Sequence, residues 1–234
     1  MQFDRIHGVD TDGLILPEEL GLQGRNAVHY APTHPSRFRA MIHSLPKGCL
    51  NFAFIDSGCG KGRALLLARE AGFSRCFGVE LSPLLCDIAR SNFPGAEIVC
   101  CDATEFDFPP VDSVIYMFNP FWNPVMDKFV AHLEESLRRH PRELYVVYAS
   151  PFLRPGIRRF PAVRKNPECV RKICHFPCVE TNMIAGESLD KVLALLASWE
   201  RIAIEMRTCG ELEAASDYEK CHQELREALG DPSQ

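Results

Sequence analysis

The sequence predicts an α/β protein with a doubly wound, mostly parallel sheet, helices on both faces and a short N-terminal extension. Three observations carry this. Strand-length apolar runs alternate with helical patterns from about residue 52 to 149, those runs are apolar almost throughout, and a glycine-rich turn joins the first run to the first helix. Strands that read as unbroken apolar runs are buried on both faces, and helical crossovers between parallel strands are right-handed.

Phe52-Ala53-Phe54-Ile55 is the first strand, and Arg63 to Ala71 is the first helix of the alternating core, stopped by Gly72. Arg75 to Leu81 is the second strand. Ser82-Pro83 opens a helix through Asn92, since proline suits a first helical turn. Ala96 to Cys101 and Val114 to Phe118 are strands three and four. From Asn123 to Arg139, Val125, Met126, Phe129, Val130, Leu133 and Leu137 line one helical face, and Glu143 to Ala149 is the fifth strand. Ahead of this core, His7 to Gly13 reads as loop, and Ser36 caps a short helix through Leu45 that Pro46-Lys47-Gly48 ends. Beyond Ser150 the pattern loosens. Residues 151–183 are rich in proline and basic residues, with Val170 to Phe176 as a candidate strand. Leu189 to Trp199 has helical spacing, Ile202 to Met206 reads as a strand, and Glu211 to Leu229 as a polar amphipathic helix. The expected division is an extension at 1–48 closing over a cofactor site, a main domain at 49–210, and a helix and tail at 211–234.

The 234 residues, 46% hydrophobic and 24% charged, suffice for one domain with a full core. A net charge of -5 argues against a surface built globally for nucleic acid. No run approaches bilayer length and the first residues lack an apolar signal core, so the expectation is a soluble protein, cytosolic or nuclear, with no membrane partner. The eleven cysteines read as free thiols, with Cys76, Cys86, Cys100 and Cys101 in or beside apolar runs.

The chemistry concentrates at strand ends. Asp56-Ser57-Gly58-Cys59-Gly60-Lys61-Gly62 follows the first strand and runs into a helix. Glycines at alternate positions let backbone approach a ligand, and the helix start supplies free N–H donors. A dinucleotide fingerprint would place a third glycine where Arg63 stands, and the spacing of a phosphate loop fails as well. Asp56 at the head of the turn opposes a pyrophosphate and suits a cationic amine. Glu80 ends the second strand, where an acid can accept both ribose hydroxyls; this fits an adenosine ligand of either a methyl donor or a dinucleotide. Asp102, beside Ala103, is placed to accept an adenine amino group. Asn119-Pro120-Phe121 follows strand four, where an amide and neighbouring carbonyls can hold a nitrogen against aromatic walls.

Asp56-x-Gly58-x-Gly60-x-Gly62, Glu80, Asp102 and Asn119-Pro120-Phe121 resemble, in order and spacing, the class I S-adenosylmethionine-dependent methyltransferases over roughly residues 50–150. The resemblance implies S-adenosylmethionine as cofactor and a seven-stranded sheet whose last strand, here Ile202 to Met206, is antiparallel. It implies that Asp56, Gly58, Cys59, Gly60 and Gly62 surround the methionine end, Glu80 and Leu81 the ribose, and Asp102 with Ala103 the adenine. Tyr30-Ala31-Pro32-Thr33 also looks like the segment that closes over the methionine end in non-SET, disruptor-of-silencing-type histone lysine methyltransferases. On that analogy Tyr30 and Thr33 touch the cofactor. That family has Asn-Asn-Phe where this chain has Asn119-Pro120-Phe121, which is also one proline short of the motif of amide and exocyclic-amine methyltransferases. Compact bacterial methyltransferases of unassigned substrate look closer over the whole chain.

The resulting expectation is methyl transfer to an unidentified acceptor, a nitrogen nucleophile on a protein or small molecule, with Asn119, Pro120 and Phe121 at the transfer site. The alternatives are a catalytically silent scaffold of the same fold and an RNA methyltransferase; a nicotinamide oxidoreductase is disfavoured by Arg63 and Asp56. Cys169, Cys174, His175 and Cys178 lack the paired short spacings of a zinc site, so no metal is expected. Arg154, Arg158, Arg159, Arg164, Lys165, Arg171 and Lys172 against Glu168 mark a candidate surface for an anionic partner. Lys61 and Arg63 read as ion-pairing surface residues, and Tyr116 and Tyr148 as core.

Overall fold

The computed structural model describes residues 2–121, 123–149 and 170–176 and scattered positions between 197 and 226. Six parallel strands form one sheet in the order β3-β2-β1-β4-β5-β6: β1 Ala53–Ser57, β2 Arg75–Glu80, β3 Glu97–Cys100, β4 Ser113–Phe118, β5 Leu144–Ala149 and β6 Val170–Phe176. Helices α1 Gln2–His7, α2 Pro35–His43, α3 Arg63–Ala71, α4 Pro83–Asn92 and α5 Asn123–Arg139 accompany it. Strand order runs outward from β1 in one direction, then restarts at β4 and runs outward in the other. The chain therefore leaves a crevice between the C-terminal ends of β1 and β4, the switch point at which such sheets take their ligands.

Both faces of the central strands are covered, and consecutive residues divide between two cores. Phe54, Val114, Tyr116, Tyr145 and Val147 pack with α2, α3 and α4, through Phe38, Leu65, Leu67, Cys86 and Ala89. Ile55, Ile115, Met117, Leu144, Val146 and Tyr148 pack with α5, through Met126, Phe129, Val130, Leu133 and Leu137. The period-two alternation of a pleated strand thus feeds two apolar layers, which explains the unbroken apolar runs. Tyr116 and Tyr148 are buried as expected.

Several expectations need correction. The helix before the core begins at Pro35 with His34 as its cap, one turn-entry earlier than Ser36, because the His34 ring accepts the Ser36 amide and proline takes the first turn. The loop assigned from His7 onward is preceded by α1. Arg201, Ala203 and Ile204 are helical where an antiparallel seventh strand was expected over Ile202 to Met206; Ile202, Glu205 and Met206 lie outside the described residues. Ala203 turns into the α5-side core while Ile204 is 60% exposed, a one-sided burial that a short apolar run cannot reveal by periodicity. Cys100 is exposed rather than buried. The segments 151–169 and 189–196, and the side chains of Cys169, Cys174, His175 and Cys178, lie outside the described residues. No helix among the described residues is long and apolar enough to cross a membrane.

Candidate functional site

The turn after β1 is folded back on β2: the Gly58 and Cys59 amides both donate to the Val79 carbonyl, at 2.8 and 3.0 Å. Gly58 and Gly60 adopt φ of 84° and 53°, the left-handed region that a Cβ disfavours. Each is also closely covered. A Cβ on Gly58 would lie 2.4 Å from the Pro120 Cβ, and one on Gly60 would lie 2.3 Å from the Tyr30 ring. Gly62 plays a different part from the one expected: it caps α3 and faces Ala89 of α4, outside the cavity wall.

Glu80, at the end of β2, locks the turn. Its carboxylate accepts the Gly60 amide and the Ser82 amide, each at 2.9 Å. Burial pushes its pKa up, against the backbone hydrogen bonds that hold it down. Asp102 accepts the Thr104 amide (2.9 Å) and hydroxyl (2.8 Å) on one oxygen.

A cavity with an empty volume of about 980 Å³, its open mouth included, lies over these strand ends. Asp56, Gly58, Cys59, Gly60, Glu80, Leu81, Asp102 and Ala103 form one part of its wall; Tyr30, Thr33, Asn119, Pro120 and Phe121 form another. Every residue expected at the site except Gly62 therefore meets there. Asp56 is 3% exposed and has no hydrogen-bond or ion-pair partner among the described residues. Burial, and after it the Glu80 charge, pushes its carboxyl well above the usual range. Asn119 sits at φ 43° with its Oδ1 buried and unpartnered among the described residues. Both residues line the one cavity.

The extension supplies the roof. Tyr30 and Ile15 exchange backbone hydrogen bonds at 2.8 and 3.1 Å, and Ala27 bridges Phe121 antiparallel. The Tyr30 hydroxyl donates to the Thr11 carbonyl at 2.6 Å, so only its ring faces Gly60. Thr33 accepts the Tyr116 hydroxyl at 2.9 Å, which ties the roof to β4.

Lys61 and Arg63 pair with acids, but each is only 7% exposed, because residues 2–13 fold over the start of α3. The Arg63 guanidinium donates to Thr11 Oγ1 (2.7 Å), Asp4 (3.0 Å) and Asp12, and lies over the Phe3 ring at 4.8 Å. Lys61 donates to Asp10 at 2.8 Å and to the Asp12 carbonyl at 2.9 Å. Asp4 also accepts the Thr11 and Asp12 amides, both at 2.7 Å. Arg63 lines the cavity, yet its charge is already answered. This cluster and the cavity residues Arg25, Asn26 and His29 escaped the sequence reading. The one available signal was three aspartates in nine residues, opposite two cations in the glycine turn.

Residues 54–140 match the family described as a methyltransferase domain. No curated protein matches the chain. Among solved structures, the chain is similar to an S-adenosylmethionine-dependent methyltransferase from Mesorhizobium loti at 24% identity and a TM-score of 0.36, covering 43% of this chain and 47% of that one. It is similar to geranyl diphosphate C-methyltransferase from Streptomyces coelicolor A3(2) at 15% identity and a TM-score of 0.36, over 42% and 38%. A TehB-like methyltransferase from Corynebacterium glutamicum gives 22% identity and a TM-score of 0.33, over 44% and 55%. The matched part spans less than half of the first two chains and little more than half of the third.

Proposed function

We propose that the protein is a class I methyltransferase that transfers a methyl group from S-adenosylmethionine to a neutral nitrogen nucleophile on a protein or small molecule, a reading supported by the match of residues 54–140 to a methyltransferase domain. The observation that carries this reading is the pair of buried, unpartnered acceptors in one cavity, the Asp56 carboxylate and Asn119 Oδ1.

The residues fit the donor. A buried carboxylate costs several kcal/mol unless a cation meets it, and the ammonium of the methionine end supplies one to Asp56. The Glu80 oxygens each hold one amide and retain lone pairs for ribose hydroxyls. Asp102 retains an oxygen with no hydrogen bond among the described residues, beside Ala103, for the adenine amino group. Tyr30 and Thr33 roof the methionine end. Bound S-adenosylmethionine supplies an electrophilic methyl group on a sulfonium.

The chain's own work is placement. Asn119 accepts an N–H of the incoming nitrogen, which turns its lone pair toward the methyl, while Pro120 and Phe121 confine it. Such positioning contributes on the order of 7–11 kcal/mol. The guanidinium in the wall, Arg63, is neutralised by Asp4 and Asp12 and does not repel the sulfonium. Residues 1–48 act as the closing extension and residues 211–234 as a tail. The Arg154–Lys172 segment receives an anionic flank of the acceptor or its carrier.

The test is calorimetric titration with S-adenosylmethionine, S-adenosylhomocysteine and NAD, followed by labelled methyl transfer to protein, small-molecule and RNA fractions of an extract. Donor binding with label on an amine or amide nitrogen is expected. Binding of NAD alone overturns the assignment. Donor binding without any transfer makes the protein a scaffold, and label on RNA redirects the acceptor.

A further inference from the structure

We propose that Cys86 and Cys100 are a dithiol pair that a low-molecular-weight disulfide, such as glutathione disulfide, oxidises to an intramolecular bond, and that this bond weakens donor binding in the adjoining cavity. The effect on the donor rests on the reading of the cavity as a methyl-donor site; the bond itself does not.

The placement follows from how α4 lies on β2 and β3. The Arg90 guanidinium donates to the Ile98 carbonyl at 3.1 Å. The Cys86 thiol donates to the Glu80 carbonyl at 3.4 Å, and Glu80 is the register partner of Cys100. Helix and strand therefore run in opposite senses. Cys86 stands one helical turn before Arg90 and Cys100 two strand residues after Ile98, each a step of about 6–7 Å. The equal steps bring Cys86 opposite Cys100. Direction agrees with position: Ile98 packs in the core on the α4 side and Val99 against the other, so strand alternation returns Cys100 to the α4 side.

Cys100 is exposed and Cys86 fully buried, which divides the steps between them. Burial, and after it the Cys100 thiol alongside, pushes the Cys86 thiol up, so the first exchange falls to Cys100. Its thiolate attacks the small disulfide, forms a mixed disulfide and expels one small thiolate. The Cys86 sulfur then attacks the Cys100 sulfur and expels the second. Two protein thiols are oxidised, one small disulfide is reduced to two thiols, and the two protein thiol protons pass to the expelled thiolates. The bond takes the Cys86 thiol off the Glu80 carbonyl, which also accepts the Cys101 amide at 3.0 Å. Glu80 holds the Gly60 and Ser82 amides, and Cys101, Asp102 and Ala103 run from Cys100 straight into the cavity wall. The pair thus stands behind the two residues assigned to the ribose and the adenine.

The test needs no identified acceptor. The full chain, reduced, is incubated with glutathione disulfide, its remaining thiols are blocked with N-ethylmaleimide, and its peptides are mapped by mass. Cys86 and Cys100 should be linked with no glutathione retained, and dithiothreitol should reverse the link. Cys86→Ser should keep glutathione on Cys100 as a lasting mixed disulfide. Cys100→Ser, a change at an exposed position, should leave Cys86 reduced. In calorimetry the oxidised wild type should bind S-adenosylhomocysteine about 5-fold or more weaker than the reduced form, the worth of one hydrogen bond. The same treatment should change nothing in Cys100→Ser. Glutathione retained on wild-type Cys100, a bond to another cysteine, or no reaction overturns the pair. Equal affinity of the two forms overturns its effect on the site. If the reduced wild type binds no S-adenosylhomocysteine, the donor-site reading falls and the mapped bond stands without it.

Discussion

Gly60→Ala tests how the turn and its roof are joined. At φ 53° an alanine is in the left-handed region, which costs about 1–2 kcal/mol. Its Cβ would also lie 2.3 Å from Cδ2 and Cε2 of Tyr30. That ring cannot swing away freely, because its hydroxyl is bonded to the Thr11 carbonyl and its backbone to Ile15. Overpacking of this kind costs about 1–3 kcal/mol. The expected destabilisation by urea unfolding is therefore about 2–5 kcal/mol, divided between backbone and clash. The division can be measured. In a Tyr30→Ala background the clash is gone, and Gly60→Ala should cost only the backbone share, about 1–2 kcal/mol. An equal cost in both backgrounds would mean that Tyr30 does not press on the turn and would refute the roof as described.

Asp56→Asn should stabilise the ligand-free protein by about 1–3 kcal/mol at pH 7 while weakening S-adenosylmethionine binding at least about 10-fold. Since burial raises the folded Asp56 pKa above its unfolded value, the wild type loses stability as pH rises past the unfolded value; the advantage of the variant should vanish below about pH 4 and grow above it, checked by thermal unfolding across pH. Asp4 behaves oppositely. Burial pushes it up, but hydrogen bonds from Thr11 and the Arg63 charge bring its pKa below the usual value. Its contribution is present above the unfolded pKa and lost as pH falls through the folded one, so the cost of Asp4→Asn, about 1–2 kcal/mol at pH 7, should fade in urea titrations below about pH 4. Glu80→Ala should abolish donor binding in calorimetry and also strand the Gly60 and Ser82 amides, whereas Glu80→Gln retains an acceptor and should keep more of the stability. Gly60→Arg should abolish donor binding too; unchanged affinity in both Glu80→Ala and Gly60→Arg would remove the basis of the site.

The five central strands and the helices between them were legible because burial on both faces leaves a strong signal, unbroken apolar runs between capped helices. Ser82 and Pro83 announced α4 by chemistry that acts within three residues. The strand-end acids were legible for a related reason: a carboxylate that ends an apolar run stands out against it, whether it holds a turn, as Glu80 does, or a ligand. The sequence was silent where long-range contacts decide. Arg63 looked like an exposed helix-start cation, and only the return of Asp4 and Asp12 across the fold buries it. Ile202 to Met206 failed because an apolar run of this length does not distinguish strand from helix until its surroundings are known.

The ion-pair cluster at the start of α3 also bears on the order in which the protein assembles. The Asp4–Arg63 and Asp10–Lys61 contacts join residues 59 and 51 apart in the chain. Closing such loops is paid for in chain entropy before the contact rewards it, so these contacts belong to the late part of folding. The β1–α3–β2 crossover unit of the core gathers first, and the N-terminal dozen residues dock onto a turn that already exists. Substitutions in the cluster should then leave the refolding rate nearly untouched and quicken unfolding.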